Sequence, residues 1–281
     1  MTQTRPTARR APIPILSYHQ TDTLPARGTP YRGLVLPPSR FARQMRALQA
    51  LGFRGLSMDD LAPYLRGERV GRVVGLTLDD GYVSNFDHAL PVLLELGFTA
   101  TSFVVSGQLG GSNVWDAPVG VRRARLMNVH HLREWRMWGM EVGAHTRSHV
   151  DLRACDPIRA RSEIAHSRSD LEQALGAPVR SFCYPYGRYR DEHVEMARAA
   201  GFEMATTSDS ARARWDADLL RLPRLTVWLS MPLPYLLART CLDFDGWPRP
   251  ALARPGRSSG TPTRVARAAA GERAAAGEPL S

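Results

Sequence analysis

Asp79 and Asp80 stand side by side at the end of an apolar run, Val73 to Leu78, and Gly81 follows them. Side chains alternate along a strand, so two adjacent acids in mid-strand would point to opposite faces. At the strand's end the chain can turn, and Gly81 permits the backbone geometry that brings both carboxylates to one place. Two acids held together are costly unless they share a cation. His145-Thr146-Arg147-Ser148-His149 offers the complement, since histidines four apart fall on one face of a helical turn and suit one metal ion. Two imidazoles and one carboxylate make a three-ligand site with positions left open for water and substrate. The second aspartate then stays free as a base. A divalent cation lowers the pKa of a water from 15.7 to about 7, within reach of a neighbouring carboxylate.

Each motif alone has a plainer reading. Asp79 beside a glycine can be a turn former, and two histidines four apart are often surface residues. Phe182-Cys183-Tyr184-Pro185-Tyr186-Gly187 makes a rigid, aromatic-lined turn whose N–H groups can face a ligand, but it also fits an ordinary β-turn. The combination of the acid pair with the histidine pair favours the metal.

The elements that must position these residues are legible as alternation. Ile13 to His19 reads as a short buried strand. Ser39 is placed as the cap of a helix with Phe41, Met45, Leu48 and Leu51 on one face. Ser57 and Asp60 form a capping-box pattern before a helix through Leu65. A helix is expected from about Asp87 to Leu96, with Pro91 tolerable only in its first turn. Thr99 to Val105 and Met140 to Ala144 read as strands, and Asn128 opens the helix between them. Gln108 to Arg125 is irregular, a candidate loop over the active face, where Trp115 and Asp116 either line a ligand site or anchor the loop. Asp156-Pro157 caps a helix that stops at Gly176. Val179 to Tyr184 is a strand, Asp191 to Ala200 a helix, Phe202 to Thr206 a strand, and Leu222 to Trp228 the last. Leu-Gly-Phe at 51–53 and 96–98 and Ala-Gly-Phe at 200–202 repeat one signal, a helix ended by glycine and followed by a strand. This predicts an α/β fold, a distorted parallel (β/α) barrel of about seven strands over residues 13–248. Residues 1–12 form a basic flexible N-terminus, and the Pro/Gly/Ser/Ala/Arg-rich stretch 249–281 a disordered tail. Functional groups belong at the strands' C-terminal ends, where His19, Asp79, Asp80, His145 and Tyr186 all fall.

Composition narrows the chemistry further. All 37 basic residues are arginine, which excludes a Schiff-base lysine and a lysine-bearing phosphate loop. The net charge of +10 sits mostly at the two ends, and no nucleic-acid-binding motif accompanies it in the body, so a nucleic-acid partner is not expected. Cys155, Cys183 and Cys241 are odd in number and widely spaced, as expected of reduced thiols. No signal-like or membrane-spanning apolar run is visible, so the expected location is cytoplasmic.

In this order, Thr77-Leu78-Asp79-Asp80-Gly81, His145-Thr146-Arg147-Ser148-His149 and Tyr184-Pro185-Tyr186-Gly187 resemble the polysaccharide deacetylase family, the metal-dependent carbohydrate de-N-acetylases. The resemblance spans roughly residues 13–228. It implies a hydrolase that removes an acetyl group from a carbohydrate or glycoconjugate. Asp80, His145 and His149 would hold a divalent metal, zinc by the resemblance. Asp79 would be the general base, and the backbone N–H of Tyr186 would help hold the oxyanion. Two departures matter. Many members carry an arginine where this chain has Cys183, and Arg224 in Leu222-Pro223-Arg224 is the candidate substitute. Many also take their acid histidine from a C-terminal Leu-x-His, yet here no histidine follows His193. Leu16-Ser17-Tyr18-His19 instead resembles the permuted subgroup that includes poly-N-acetylglucosamine deacetylases, which makes His19 the candidate acid. His88, His130, His131, His166 and His193 are read as surface or packing residues.

Three rivals share parts of this pattern. A non-haem iron oxygenase also uses two histidines and a carboxylate. A carbohydrate-binding relative without turnover would keep the pocket, although the intact acid and histidine pairs argue against it. A glycosidase would need two carboxyl groups at least about 5 Å apart across a glycosidic bond, which adjacent residues supply poorly.

Overall fold

The computed structural model describes residues 11–242. The first ten residues and those from 243 onward, including the expected disordered tail, lie outside that range. In chain order the strands are β1 (Ile15–Tyr18), β2 (Gln20–Thr21), β3 (Val35–Leu36), β4 (Arg54–Leu56), β5 (Val73–Leu78), β6 (Thr101–Val104), β7 (Glu141–Ala144), β8 (Ser181–Cys183), β9 (Met204–Thr206) and β10 (Leu225–Thr226). The helices are α1 (Pro38–Ala50), α2 (Met58–Leu65), α3 (Val83–Glu95), α4 (Val129–Met137), α5 (Pro157–Leu175), α6 (Asp191–Ala199) and α7 (Leu233–Cys241).

The main sheet runs β10-β1-β5-β6-β7-β8-β9, seven strands all parallel, with β4 paired to the first half of β5. Its two edges approach each other. Leu222 exchanges backbone hydrogen bonds with the β9 wall, to Ala205 O and from Thr207 N at 2.9 Å each, and three residues later Leu225 pairs with Leu16 of β1. The sheet is thus curled into a distorted barrel whose last wall is a short, bent segment.

Alternation along the strands divides the apolar residues into two cores. Leu16, Leu76, Leu78, Val142, Ala144 and Phe182 pack outward beneath the helices. Ile15, Phe103, Cys183, Met204 and Leu222 point into the lumen, where Leu61 and Leu65 of α2 plug its lower end. Both faces are covered, which is why β5 reads as a continuous apolar run. Two glycines make the lumen fit. A Cβ on Gly143 would meet the Phe103 ring at 2.5 Å, and one on Gly75 would meet Leu61 at 2.8 Å.

Several local expectations are corrected. Helix α1 opens on Pro37 without a side-chain cap, so Ser39 lies inside it, and Leu51 is exposed rather than on the buried face with Phe41, Met45 and Leu48. Helix α3 starts at Val83 and carries Pro91 in its interior. Pro91 and Asp87, whose carbonyl the proline cannot serve, are both exposed, so the interruption falls on the solvent face of the helix. Helix α7 lies beyond the last strand read from the sequence; Pro232 is its N-cap residue and Pro234 stands in its first turn, where no N–H is needed. Ser57, Asn128 and Asp156 cap α2, α4 and α5 as expected.

Candidate active site

Strand β5 ends at Leu78, and Asp79 N–H still bonds Tyr18 O at 2.8 Å. The chain then turns through two successive left-handed residues, Asp80 at φ 74° and Gly81 at φ 76°. The turn therefore rests on Asp80 as much as on the glycine, and it separates the two carboxylates. Asp79 points down into the lumen and Asp80 across its mouth. Residues 145–149, expected as a helical turn, form a loop after β7 in which Thr146 (φ 61°) and His149 (φ 57°) are left-handed. Their rings nevertheless meet, with centroids of His145 and His149 4.8 Å apart and nearly perpendicular. Tyr186, at φ 58°, is a further such residue. Non-glycine residues in this region are strained, and here four of them lie in the three motifs.

Asp80 Oδ1 lies 3.2 Å from His149 Nε2 and 3.5 Å from His145 Nε2. The three donors are buried and close enough together to hold one ion. The ring orientations suit that role. His145 Nδ1 donates to Cys183 O at 2.8 Å, which orients the ring so that Nε2 faces Asp80 and would be the ligating nitrogen once its proton is displaced by an ion. His149 Nδ1 lies 3.1 Å from the Tyr186 hydroxyl, and its ring is stacked on Trp115 at 4.6 Å. Burial penalises the Asp80 carboxylate, but hydrogen bonding with His145 and His149 outweighs it and holds the group well below the usual range. Burial also lowers the pKa of His149, favouring the neutral imidazole a metal requires. Two imidazoles and a carboxylate presented in this way fit a divalent transition ion.

Asp79 has a different partner. The Arg224 guanidinium grips it in a fork, Nη1 to Oδ1 at 2.7 Å and Nη2 to Oδ2 at 2.9 Å, while Ser17 Oγ donates to Oδ2 at 3.2 Å. Arg224 is itself buried and donates to Thr207 O, Thr77 Oγ1 and Cys183 Sγ. Burial alone would raise the Asp79 pKa, but Arg224 and then His19 bring it below the ordinary carboxylate value. His19 Nε2 stands 3.9 Å from Asp79 Oδ2 at the rim, and His19 Nδ1 is buried without a hydrogen-bond partner.

Residues 66–205 match the family model for polysaccharide deacetylase. The Bacillus subtilis protein YxkH is 27% identical over 228 residues, which cover 79% of this chain and 73% of that one. A poly-β-1,6-N-acetyl-D-glucosamine N-deacetylase of Staphylococcus epidermidis is 24% identical over 196 residues, 66% of each chain. Among solved structures, IcaB from Ammonifex degensii superposes with a TM-score of 0.69 at 25% identity, covering 83% of this chain and 98% of that one. The chain belongs to the polysaccharide deacetylase family. The relatives it resembles include members of the poly-N-acetylglucosamine branch that Leu16-Ser17-Tyr18-His19 suggested.

This deacetylase domain brings together all six residues singled out from the sequence: His19, Asp79, Asp80, His145, His149 and Tyr186. Arg224 occupies the space beneath Asp79 from the opposite wall. Other residues at the site carried no signal in the sequence. Asn85, in the first turn of α3, donates from Nδ2 to His19 O at 2.7 Å and accepts from Thr21 N at 2.9 Å, fixing the backbone on both sides of the histidine. Trp115 proves to be a wall of the site. Beside it, Asp116 is pushed up to about 6, by burial and then by the nearby charge of Asp80. Of the histidines set aside, His131 and His193 return hydrogen bonds to the caps of α4 and α6.

Proposed function

We propose that this chain is a metal-dependent hydrolase that removes the acetyl group from N-acetylated hexosamines in a glycan, with poly-N-acetylglucosamine-like chains as the substrate class. The observation that carries the reading is the separation of the two adjacent aspartates into different environments. Asp80 faces two imidazoles, whereas Asp79 is ionised, oriented by Arg224 and Ser17, and close to His19. Asp80, His145 and His149 are the residues that would hold the ion. When bound, a divalent ion supplies Lewis acidity toward the acetyl carbonyl and acidifies water at neutral pH. Asp79 takes the proton of the attacking water. Its fork to Arg224 keeps the carboxylate charged and aimed, at some expense of basicity. His19, across the rim, protonates the departing amine, and the Tyr186 N–H donates to the oxygen that gains charge during attack. Zinc is the metal that two histidines and one carboxylate with open positions suit best.

The test combines metal analysis with acetate release from N-acetylglucosamine oligomers of increasing length, run without oxygen so that an iron oxygenase is silent. Acetate should appear and should stop on treatment with a chelator. Asp79→Asn should keep its metal and lose about 10²–10⁴-fold in turnover, and His19→Ala should behave in the same direction. An Asp79→Asn protein that loses metal and regains full activity when resupplied would show that the two aspartates have been given the wrong roles.

A further inference from the structure

The loop bearing both histidines has an unusual support. Arg147 N–H and Ser148 N–H, two successive donors, converge on one oxygen of Glu163, Oε2, at 2.9 and 2.8 Å. The Ser148 hydroxyl donates to the other oxygen, Oε1. Glu163 lies on the second turn of α5, is buried, and comes from outside the three motifs. Three more hydrogen bonds tie the loop down. His149 N–H bonds Thr146 Oγ1 at 3.0 Å, Ser106 N–H bonds Thr146 O at 3.2 Å, and Gly107 N–H bonds Arg147 O at 2.8 Å.

Consecutive N–H groups that turn toward one point form a concave anion site. Here the two donors sit between Thr146 and His149, both left-handed, so the conformation that aims His149 at Asp80 is the one that creates the concavity. Left-handed backbone is strained for a residue with a side chain and persists only where its surroundings over-determine it. A buried carboxylate taking three hydrogen bonds is such a surrounding, and charge-assisted bonds are roughly twice as strong as neutral ones. We propose that Glu163 is a positioning residue for the metal site: it holds residues 146–149 in the strained form that presents His149 Nε2, and so sets metal affinity without touching the ion. This rests on the reading of Asp80, His145 and His149 as a metal site.

The experiment is a competition between the full-length protein and a chromogenic chelator for zinc, with the visible spectrum of the cobalt-loaded protein as a second readout. Glu163→Ala should weaken zinc binding about 10–100-fold, the range for removing a ligand's hydrogen-bonded support, and should alter the cobalt spectrum. Glu163→Gln keeps the shape and one acceptor oxygen, and should lose about threefold. Glu172→Ala serves as the control. It removes a carboxylate from the same helix that supports Val179 N–H instead of the histidine loop, and should leave zinc affinity unchanged. If Glu163→Ala does not fold, the glutamine variant decides. Wild-type affinity in both folded Glu163 variants, or an equal loss in Glu172→Ala, overturns the inference while leaving the metal site standing. A wild-type protein that takes up no metal overturns the reading of the site itself, and the role of Glu163 with it.

Discussion

Arg224 and Asp79 form a buried ion pair in the lumen. A buried ion pair of this kind gains little net stability over an apolar pair, but breaking one side of it leaves a buried charge unpaired. Its consequence is for the titration of Asp79. With its pKa depressed, Asp79 stays ionised as pH falls past the ordinary carboxylate value near 4, and its contribution to stability, present above that value, is lost only as pH drops through the lower folded pKa. Arg224→Met should therefore move the acid limb of kcat/KM upward, toward or beyond the usual carboxylate range, and lower the maximum, because burial then acts on Asp79 unopposed. A pH–rate profile of metal-loaded enzyme checks this; an unshifted acid limb with a reduced maximum would place Arg224 in orientation alone. Cys183 matters to the same pair. Where many relatives carry an arginine, this chain has a thiol small enough to leave the lumen open to the guanidinium of Arg224, whose Nη2 lies 3.1 Å from Sγ.

At the scale of elements, the site depends on how closely neighbouring strands and the α2 plug fill the lumen. Gly143 lies opposite Phe103 in the β6–β7 register, and the ring occupies the space a side chain would need. Phe103 in turn packs under Arg224, with the guanidinium carbon 5.7 Å from the ring centre. Gly143→Val is thus expected to destabilise by about 1–3 kcal/mol or more through overpacking, and to disturb the Arg224–Asp79 fork, since the displaced ring has only the lumen to enter. Thermal melting gives the first effect. The second is read as a fall in turnover larger than any fall in metal affinity. Gly143→Ala should show both effects at smaller size.

For the whole molecule, the lower end of the barrel holds a further buried carboxylate, Glu141, with a separate task. Glu141 Oε2 accepts from Thr101 Oγ1 at 2.6 Å and from Asp59 N at 2.8 Å, tying β7 and β6 to the first turn of α2. Burial, then the neighbouring Asp59, pushes Glu141 up to about 7, and the hydroxyls of Ser181 and Thr101 only partly offset this. The sign follows directly. The folded protein holds this proton more tightly than the unfolded chain, so stability is greatest below the unfolded value and declines as pH rises through the folded one. The decline is roughly 3–4 kcal/mol at most. Glu141→Gln should flatten the dependence of unfolding free energy on pH between about 4.5 and 7 and raise it at pH 8. Denaturant unfolding at pH 5 and pH 8 measures this, and a wild-type protein equally stable at both values would sink the prediction. No helix among the described residues is long and apolar enough to cross a membrane.

The alternation of strands and helices, the barrel class, and the six polar and aromatic residues that the fold brings to one place were legible in the sequence. Those depend on local signals: glycine after a helix, apolar runs, and polar residues placed at strand ends. It did not determine how the residues meet. His145 and His149 come together through two left-handed residues rather than a helical turn, because Glu163 and residues 106–107 supply partners that a local reading cannot see. Asp79 and Asp80 diverge because Arg224, 145 residues away, enters the lumen through the space beside Cys183. His19 is set by Asn85 of another element. In each case the deciding partner is distant in sequence, and only the curl of the sheet brings it within hydrogen-bonding distance.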